Sequence, residues 1–456
     1  MERGSYRVPE AEQAILSDDE LLDRYQHAAF GYFLETVNPD NGLVADTSRS
    51  HSPASIAVVG FALSCYPIGV ERGWMTREAA AGLTLAALRF FTASRQGSGE
   101  DVTGHKGFYY HFLDMRTGLR VWRCELSMVD TALLMAGVLL AGSYFSNDDP
   151  REAEIRQLAE ALYRRVDWRW AQGSTPTLRQ GWKPGSGFLH YGWEGYNEAT
   201  ILYVLSMASP DSLTSDNSYE AWTATYQWEN IYGHDVLYGG PLFIHQFSHA
   251  WIDFAGIRDS FMREKNSDYF ENSRRSTYLH RDYARHNPYG FEGYCENLWG
   301  LSAGDGPGGF SASVRRRRHR FSGYAARGAP FGPDDGTVAP WSYPASLPFA
   351  PDICLAALRH LGARHPQVVE NFRLPSGFNP TLANRRKFGR DGWVSEGYYG
   401  LDQGITVMMI ENHRSRLIWD LMRSNPHIRR GLRRAGFTGG WLSHPASYPE
   451  RGLDAE

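Results

Sequence analysis

One feature limits the possible folds of this chain most: apolar and half-polar helical segments alternate along nearly its whole length. SPASIAVVGFALSCYPIG and SMVDTALLMAGVLLAGSYF are apolar on every side, whereas LLDRYQHAAFGYFLETV, TREAAAGLTLAALRFFTAS and DPREAEIRQLAEALYRRVDW carry polar residues between their apolar ones. A helix that is apolar all round must be enclosed by protein, while one with a single apolar stripe covers a core and faces water. The cadence continues through NEATILYVLSMAS, AWTATYQWENIYG, IHQFSHAWIDFAG, the polar stretch 259–285, PASLPFAPDICLAALRHLGA, HPQVVENF and LDQGITVMMIENHRSRLIWDLMRS. That makes about twelve helices by periodicity. The pattern predicts an all-α (α/α)6 barrel, an inner ring of apolar helices inside an outer amphipathic ring, with short β-hairpin excursions in the rim loops. GFYYHFLDMRTGLRVWRCEL, turning at Thr117-Gly118, reads as one such excursion. Ser17 followed by Asp18, Asp19 and Glu20 marks a capped helix start, and Thr76 marks another. No Pro/Gly/Ser-rich linker interrupts the run, so a single domain is expected over 15–435, with 1–14 and 436–456 as terminal extensions.

Composition narrows the function classes. The formal net charge is -4 and charged residues are 21%, which gives no long-range pull on nucleic acid. The one basic cluster, RRRRHR at Arg315 to Arg320, reads as a solvated loop. The start, MERGSYRVPEAEQAILSDDE, has no apolar signal core, and no stretch reaches the ~18 uncharged apolar residues of a membrane span. No membrane association and a cytoplasmic location are therefore expected, or a periplasmic one if a leader has been removed. Cys65, Cys124, Cys295 and Cys354 are widely spaced and read as free thiols. Nucleophile-elbow, phosphate-loop, zincin and dinucleotide-binding signatures are all missing. The surplus is aromatic: 14% of residues, including 14 Trp and 25 Tyr, a set that suits a wide polar cleft.

The stretch GWEGYNEAT puts Glu194 and Glu198, with Trp193 and Tyr196 beside them, at the mouth of an apolar helix. Acids in a first helical turn answer the dipole and the orphan amides. In a sugar cleft, the same acids would protonate a glycosidic oxygen while the rings stack on the sugar. Two other Gly-aromatic loops run likewise into apolar helices with an acid at the entrance, so Asp130, Glu198 and Asp402 form a loose three-fold echo. Further acids lie nearby in the same loops: Glu125, Glu292, Glu296, Asp334, Asp335 and Glu396. Glycoside cleavage needs one protonated and one ionised carboxyl, and burial against Trp or Tyr keeps the proton on the first. Glu198 ranks first as donor; Asp130 and Asp402 are the partners the echo suggests, and Glu125 and Glu396 are their rivals. A helix N-terminus would lower the donor's pKa unless desolvation wins. His245 and His249 are spaced i, i+4 with Asp253 following, a spacing that could ligate a metal if other ligands arrived. Without them, the pair reads as core or sugar-binding histidines, and no metal or cofactor is expected.

Taken in order, GFYYHFLDMRTGLRVWRCELSMVDTALLMAG, GWEGYNEA, YGGPLFIHQFSHAWIDFAGI, ENLWGLSAGDGPGG, GAPFGPDDGTVAPWSYPASLPFAP, FNPT and GWVSEGYYGLDQGITVMMIENHRS resemble the bacterial glucoamylase-like family of alpha/alpha-barrel glycoside hydrolases. That family includes β-1,2-glucanases and the related domain of cyclic β-1,2-glucan synthases, and the resemblance covers roughly residues 20 to 425. It implies that Glu198 is the general acid and that Glu125 and Asp130 are cleft residues. It also implies that the segments holding His245, Gln246, His249, Trp251 and Asp253, then Asp334, Asp335 and Trp341, then Tyr399 and Asp402, wall a sugar-binding cleft. The chain departs from the pattern where RRRRHRFSGYAAR intervenes. The expected activity is hydrolysis of a β-linked glucan, β-1,2-glucan or sophoro-oligosaccharides, with an oligo- or polysaccharide as partner. A transglycosylase of the same fold and a noncatalytic glycan-binding barrel are the alternatives.

Overall fold

The computed structural model of the chain describes residues 16–383, 385 and 387–445. Its architecture is the expected helical ring. Ile56–Glu71 and Met128–Tyr144 are buried on nearly every side, Thr200–Ala208 is buried throughout, and Gly400–Arg414 is buried from Gly400 to Asn412 except at Leu401. Around them stand amphipathic helices, among them Asp18–Thr36, Arg77–Ala93, Pro150–Arg165, Tyr269–His286 and Pro351–Arg364. Ser17 and Glu20 close a full capping box, and the Thr76 hydroxyl accepts from the Ala79 amide.

Glycine sets how closely the inner helices approach. A Cβ on Gly60 would lie 2.3 Å from the Leu133 carbonyl oxygen, and one on Gly137 would lie 2.1 Å from that of Gly60. The two helices thus cross backbone to backbone at a point where no larger residue fits. At the N-terminal end of the inner ring, short antiparallel pairs knit the loops together. Ala54–Ser55 pairs with Phe112–Leu113, and Leu126–Ser127 joins a five-stranded sheet between Phe108–Tyr110 and Gly181–Lys183. Thr47 bridges Tyr399, and the Gly400 amide donates to the Asp46 carbonyl at 2.8 Å.

Several local expectations are corrected. IHQFSHAWIDFAG is not an α-helix but two 3-10 turns, Leu242–His245 and Ser248–Ala250, because Gln246 leaves helical geometry at φ -120°. QWENIYG is not helical past Ser218–Thr223; Trp228–Ile231 pairs with His234–Leu237 across Tyr232 and Gly233, both at positive φ. The final long helix is split, Gly400–Arg414 and Leu417–Ser424, at Arg416 with φ 64°, and a further helix, Pro426–Arg434, follows. HPQVVENF forms only the 3-10 turn Pro366–Val368. The RRRRHR segment is a β-hairpin rather than a loop: Phe310–Val314 pairs with Arg317–Phe321, and Phe310 and Phe321 stack beneath it at 4.9 Å. Packing also runs beyond 435, since Phe437 is buried against Phe254 and Tyr269 and Leu442 is buried too. The expected extension 1–14 and the chain beyond 445 lie outside the described residues. All four cysteines are free, and among the described residues no helix is long and apolar enough to cross a membrane.

The close approach of Gly60 and Gly137 makes a stability prediction. Gly137→Ala should lower unfolding free energy by about 1–3 kcal/mol through overpacking. Gly82→Ala, on the exposed face of Arg77–Ala93 with nothing within 4 Å of the new methyl, should raise it by about 0.5–1 kcal/mol. Denaturant midpoints of the two variants check the contrast.

Candidate active site

The inner helices Ile56–Glu71, Met128–Tyr144, Thr200–Ala208 and Gly400–Arg414 bring their N-terminal ends to one rim, where a group of acids collects. Glu198 lies in the turn just before Thr200, outside the helix proper. That turn is locked from several directions. Asn197 Oδ1 accepts from the Ala199 amide at 3.0 Å, the Ser248 hydroxyl donates to the Glu198 carbonyl at 3.0 Å, and Gly195, at φ 71°, donates its amide to Trp222. The neighbouring aromatics serve the same end. Tyr196 is buried against Tyr226, Tyr269 and His245, and the Trp193 carbonyl accepts from the Tyr203 hydroxyl at 2.9 Å. Tyr196 therefore backs the turn from the core side and is not an open stacking face. Glu198 is half-buried at the rim, and desolvation raises its carboxyl; its own backbone amide lowers it and the Asp130 charge raises it again, to about 7. Desolvation is the largest influence on this carboxyl.

Asp130 occupies the first turn of Met128–Tyr144. Its Oδ2 accepts from the hydroxyl of Ser127, the helix cap, at 2.5 Å and faces His111 Nε2 at 3.6 Å. The other ring nitrogen of His111, Nδ1, lies 3.0 Å from Glu125 Oε1. Burial works against a charged His111, but Asp130, Glu125 and Asp46 together hold it up at about 9. The hydrogen bond from His111 in turn brings Glu125 down to about 2 against its burial. Glu125 is thus a locked anion and not a proton donor. Asp46 is pushed up to about 6 by burial and by Asp130, with His111 and Arg49 opposing.

Asp402, in the first turn of Gly400–Arg414, is 5% exposed, and its Oδ2 is buried without a hydrogen-bond partner among the described residues. Burial, with the charges of Asp46 and Asp305, holds its carboxyl well above the usual range despite a hydrogen bond from Ser376. Its surroundings therefore favour the protonated form over the carboxylate. Arg49 ties this side of the rim together: it pairs with Asp305, donates to the Glu396 carbonyl at 2.8 Å and to the Tyr399 hydroxyl at 3.0 Å, and lies over the Tyr399 ring at 5.4 Å. Tyr324, just past the arginine hairpin, stands 5.9 Å from Tyr399 with 59% of its surface open.

The geometry brings Glu198, Asp130, Glu125, Asp402 and Tyr399 to one rim and sets the other expected residues apart. Glu194 and Glu396 are exposed, the first touched by the Thr177 hydroxyl at 3.4 Å and the second engaged through its carbonyl. Several expected cleft walls are core instead. Gln246 donates to the Ser342 carbonyl and the Ser346 hydroxyl, Trp251 donates to Ser64, and Trp341 is fully buried. Asp334 accepts from Tyr283 and Tyr294, and Asp335 is forked by Arg327 at 2.7 and 2.9 Å. Nor do His245, His249 and Asp253 converge on one point: buried His245 faces Asn272, buried His249 faces Ser273, and Asp253 is paired with Arg416 and Arg423. Among the described residues no group of three His, Cys, Asp or Glu is placed to hold a metal ion. Sequence reasoning missed Asp46, Arg49, His111, Asp305 and Tyr324. For His111 a signal existed, since it sits between the aromatics of FYYHFLD, whose strand pairs with the one leading to Asp130.

The raised Glu198 has a measurable consequence. A carboxyl whose folded pKa lies above its unfolded value binds its proton more tightly in the native state, so it stabilises at low pH and loses that contribution as pH rises toward 7. Glu198→Gln should therefore gain about 2 kcal/mol on wild type between pH 5 and pH 8; urea melts at both pH values test this, and an unchanged difference would contradict it.

Comparison with known proteins agrees with this architecture. A family model described as putative glucoamylase matches residues 190–426. A crystal structure of a putative glucoamylase from Bacteroides uniformis is 30% identical, covering 94% of this chain and 99% of that one with a TM-score of 0.82. An endo-β-1,2-glucanase from Chitinophaga pinensis, solved with sophorotriose and glucose, shares the fold at TM-score 0.81, 24% identity, and coverage of 93% and 100%. An exo β-1,2-glucooligosaccharide sophorohydrolase (non-reducing end) from Parabacteroides distasonis is 27% identical over 92% of this chain, which spans 58% of that relative's length.

Proposed function

This chain belongs to the glucoamylase-like family, and from that premise we propose that it is a glycoside hydrolase acting on β-1,2-linked glucan or its sophoro-oligosaccharides. The observation that carries the reading is a carboxylic acid held up to about 7 by burial, with a second carboxylate close enough to raise it further. Glu198 supplies the proton to the leaving glycosidic oxygen, and Asp130 supplies the second carboxyl group that the other half of the reaction needs. Asp402, whose Oδ2 has no partner among the described residues, offers a hydrogen-bonding group to a sugar oxygen. Tyr324 and Tyr399 offer rings and hydroxyls at the same rim, in keeping with a ligand that is apolar on its faces and polar at its edges. The linkage is supported by the named activities of the relatives, a sophorohydrolase and an endo-β-1,2-glucanase.

Incubation with linear β-1,2-glucan tests the proposal. Reducing ends should accumulate as oligosaccharides shorten; products longer than the substrate, with no net gain of reducing ends, would indicate transfer instead. Glu198→Gln and Asp130→Asn should each lower kcat at least about 10²-fold while the fold is retained. Activity should fall as pH rises past about 7, where Glu198 loses its proton. Full turnover by Glu198→Gln would overturn the assignment.

A further inference from the structure

We propose that His111 is a positioning residue, clamped between Glu125 and Asp130, that fixes the orientation and the negative charge of Asp130. The inference rests on the reaction proposed above. Its ground is geometric. Both ring nitrogens of His111 meet carboxylates, Nδ1 at 3.0 Å from Glu125 and Nε2 at 3.6 Å from Asp130. The first contact is a hydrogen bond and the second an ion-pair contact, and the imidazolium form satisfies both carboxylates at once where the neutral ring would serve Glu125 alone. The ring cannot turn away from this arrangement, for its face stacks on Phe112 at 3.9 Å and 13°, and its backbone amide donates to the Glu125 carbonyl at 3.0 Å. Glu125 is thereby bonded to His111 through main chain and side chain alike.

The contacts on Asp130 are one-sided. The Ser127 hydroxyl and the His111 ring both approach Oδ2, which leaves Oδ1 for water or the sugar. A carboxylate held by one edge in this way presents the other edge in a fixed direction, the preorganisation a short-lived transition state rewards.

The charges around the clamp explain why a cation is needed. Asp46 adds a third carboxylate facing His111, and Asp130 also faces Glu198. Lys183 stands by Glu125, Arg49 stands by Asp46, and Asp402 faces Asp46 from the other side. Without the imidazolium, Asp130 would share a partly buried pocket with like charges from Asp46 and Glu125. Like charges in such a pocket hold protons on. Charge on His111 persists to about 9, so the clamp stays closed throughout the range in which Glu198 carries its proton.

The test is the pH profile of kcat/KM on β-1,2-glucan for wild type, His111→Gln and His111→Lys, with thermal melts to establish folding. The acid limb of the profile reports the carboxylate that must be ionised in the free enzyme. His111→Gln keeps a similar reach but no charge, so the acid limb should move up by roughly 1–3 pH units, narrowing the profile from below. His111→Lys restores the charge and should return the limb toward wild type even with kcat reduced. A purely structural role predicts a different result: kcat/KM lowered evenly at all pH with the limb in place, which would overturn the proposal. If the glutamine variant does not fold, the lysine variant decides, since a limb displaced despite retained charge would also overturn it. Wild-type protein that releases no product from the glucan would overturn the functional reading itself, and is distinguishable from an active wild type whose limb ignores His111.

Discussion

The structure depends most on the desolvation of one carboxyl, Glu198, at the edge between the core of the ring and its open rim. A glutamic acid in water gives up its proton near pH 4.5; this one keeps it to about 7. What makes the difference is a turn that cannot relax outward. Ser248 joins the Glu198 carbonyl to the Ile201 amide through one hydroxyl, Asn197 closes the turn on itself, and the Tyr196 ring fills the space behind. An ionised side chain there would lose much of its hydration and face the Asp130 charge. The proton stays, and the site gains an acid suited to neutral pH.

The two ends of the inner ring treat charge in opposite ways. Near the C-terminal end of Gly400–Arg414, Glu411 is forked by Arg72 at 2.8 and 2.9 Å, and just beyond it Arg416 and Arg423 both reach Asp253. Those acids are neutralised and their role is structural. Roughly 14 Å away along the same helix, the N-terminal rim holds Asp46, Asp130, Glu198 and Asp402 with far less compensation: His111 serves Asp130 and Glu125, and Arg49 is drawn to Asp305. Desolvation, reinforced by neighbouring carboxylates that lack enough cations, raises Asp46, Glu198 and Asp402 above the ordinary range. Backbone contact at Gly60 and Gly137 helps make the ring narrow enough for these side chains to feel one another.

Much of the scaffold was legible because it rests on local rules. Apolar runs became inner helices, Ser17 and Thr76 became caps, and the three acid-bearing helix entrances placed Asp130, Glu198 and Asp402 at one rim. The misreadings have a common cause, tertiary context overriding a local pattern. The i, i+4 spacing of His245 and His249 imitates a helix face, yet the Leu242 amide donates to the Leu301 carbonyl and the segment breaks at Gln246. The hairpin at Arg315 and Arg316 places two arginines at positive φ, which no composition rule anticipates. Residues such as Gln246, Trp251, Trp341, Asp334 and Asp335 sit in distinctive motifs because they hold the walls together from inside. Motif membership alone does not separate that role from contact with a ligand. His111 and Asp46 were overlooked for the complementary reason: their importance lies in who stands opposite, and no spacing in the chain records that.

The central claim is that Glu198 carries a proton near neutrality, and a direct titration of that carboxyl tests it. Infrared difference spectra of wild type against the Glu198→Gln variant, recorded across pH, isolate the protonated carboxyl band of this one side chain. The account predicts a band that persists through pH 6 and fades with a midpoint near 7. A midpoint near the ordinary 4.5 would contradict it.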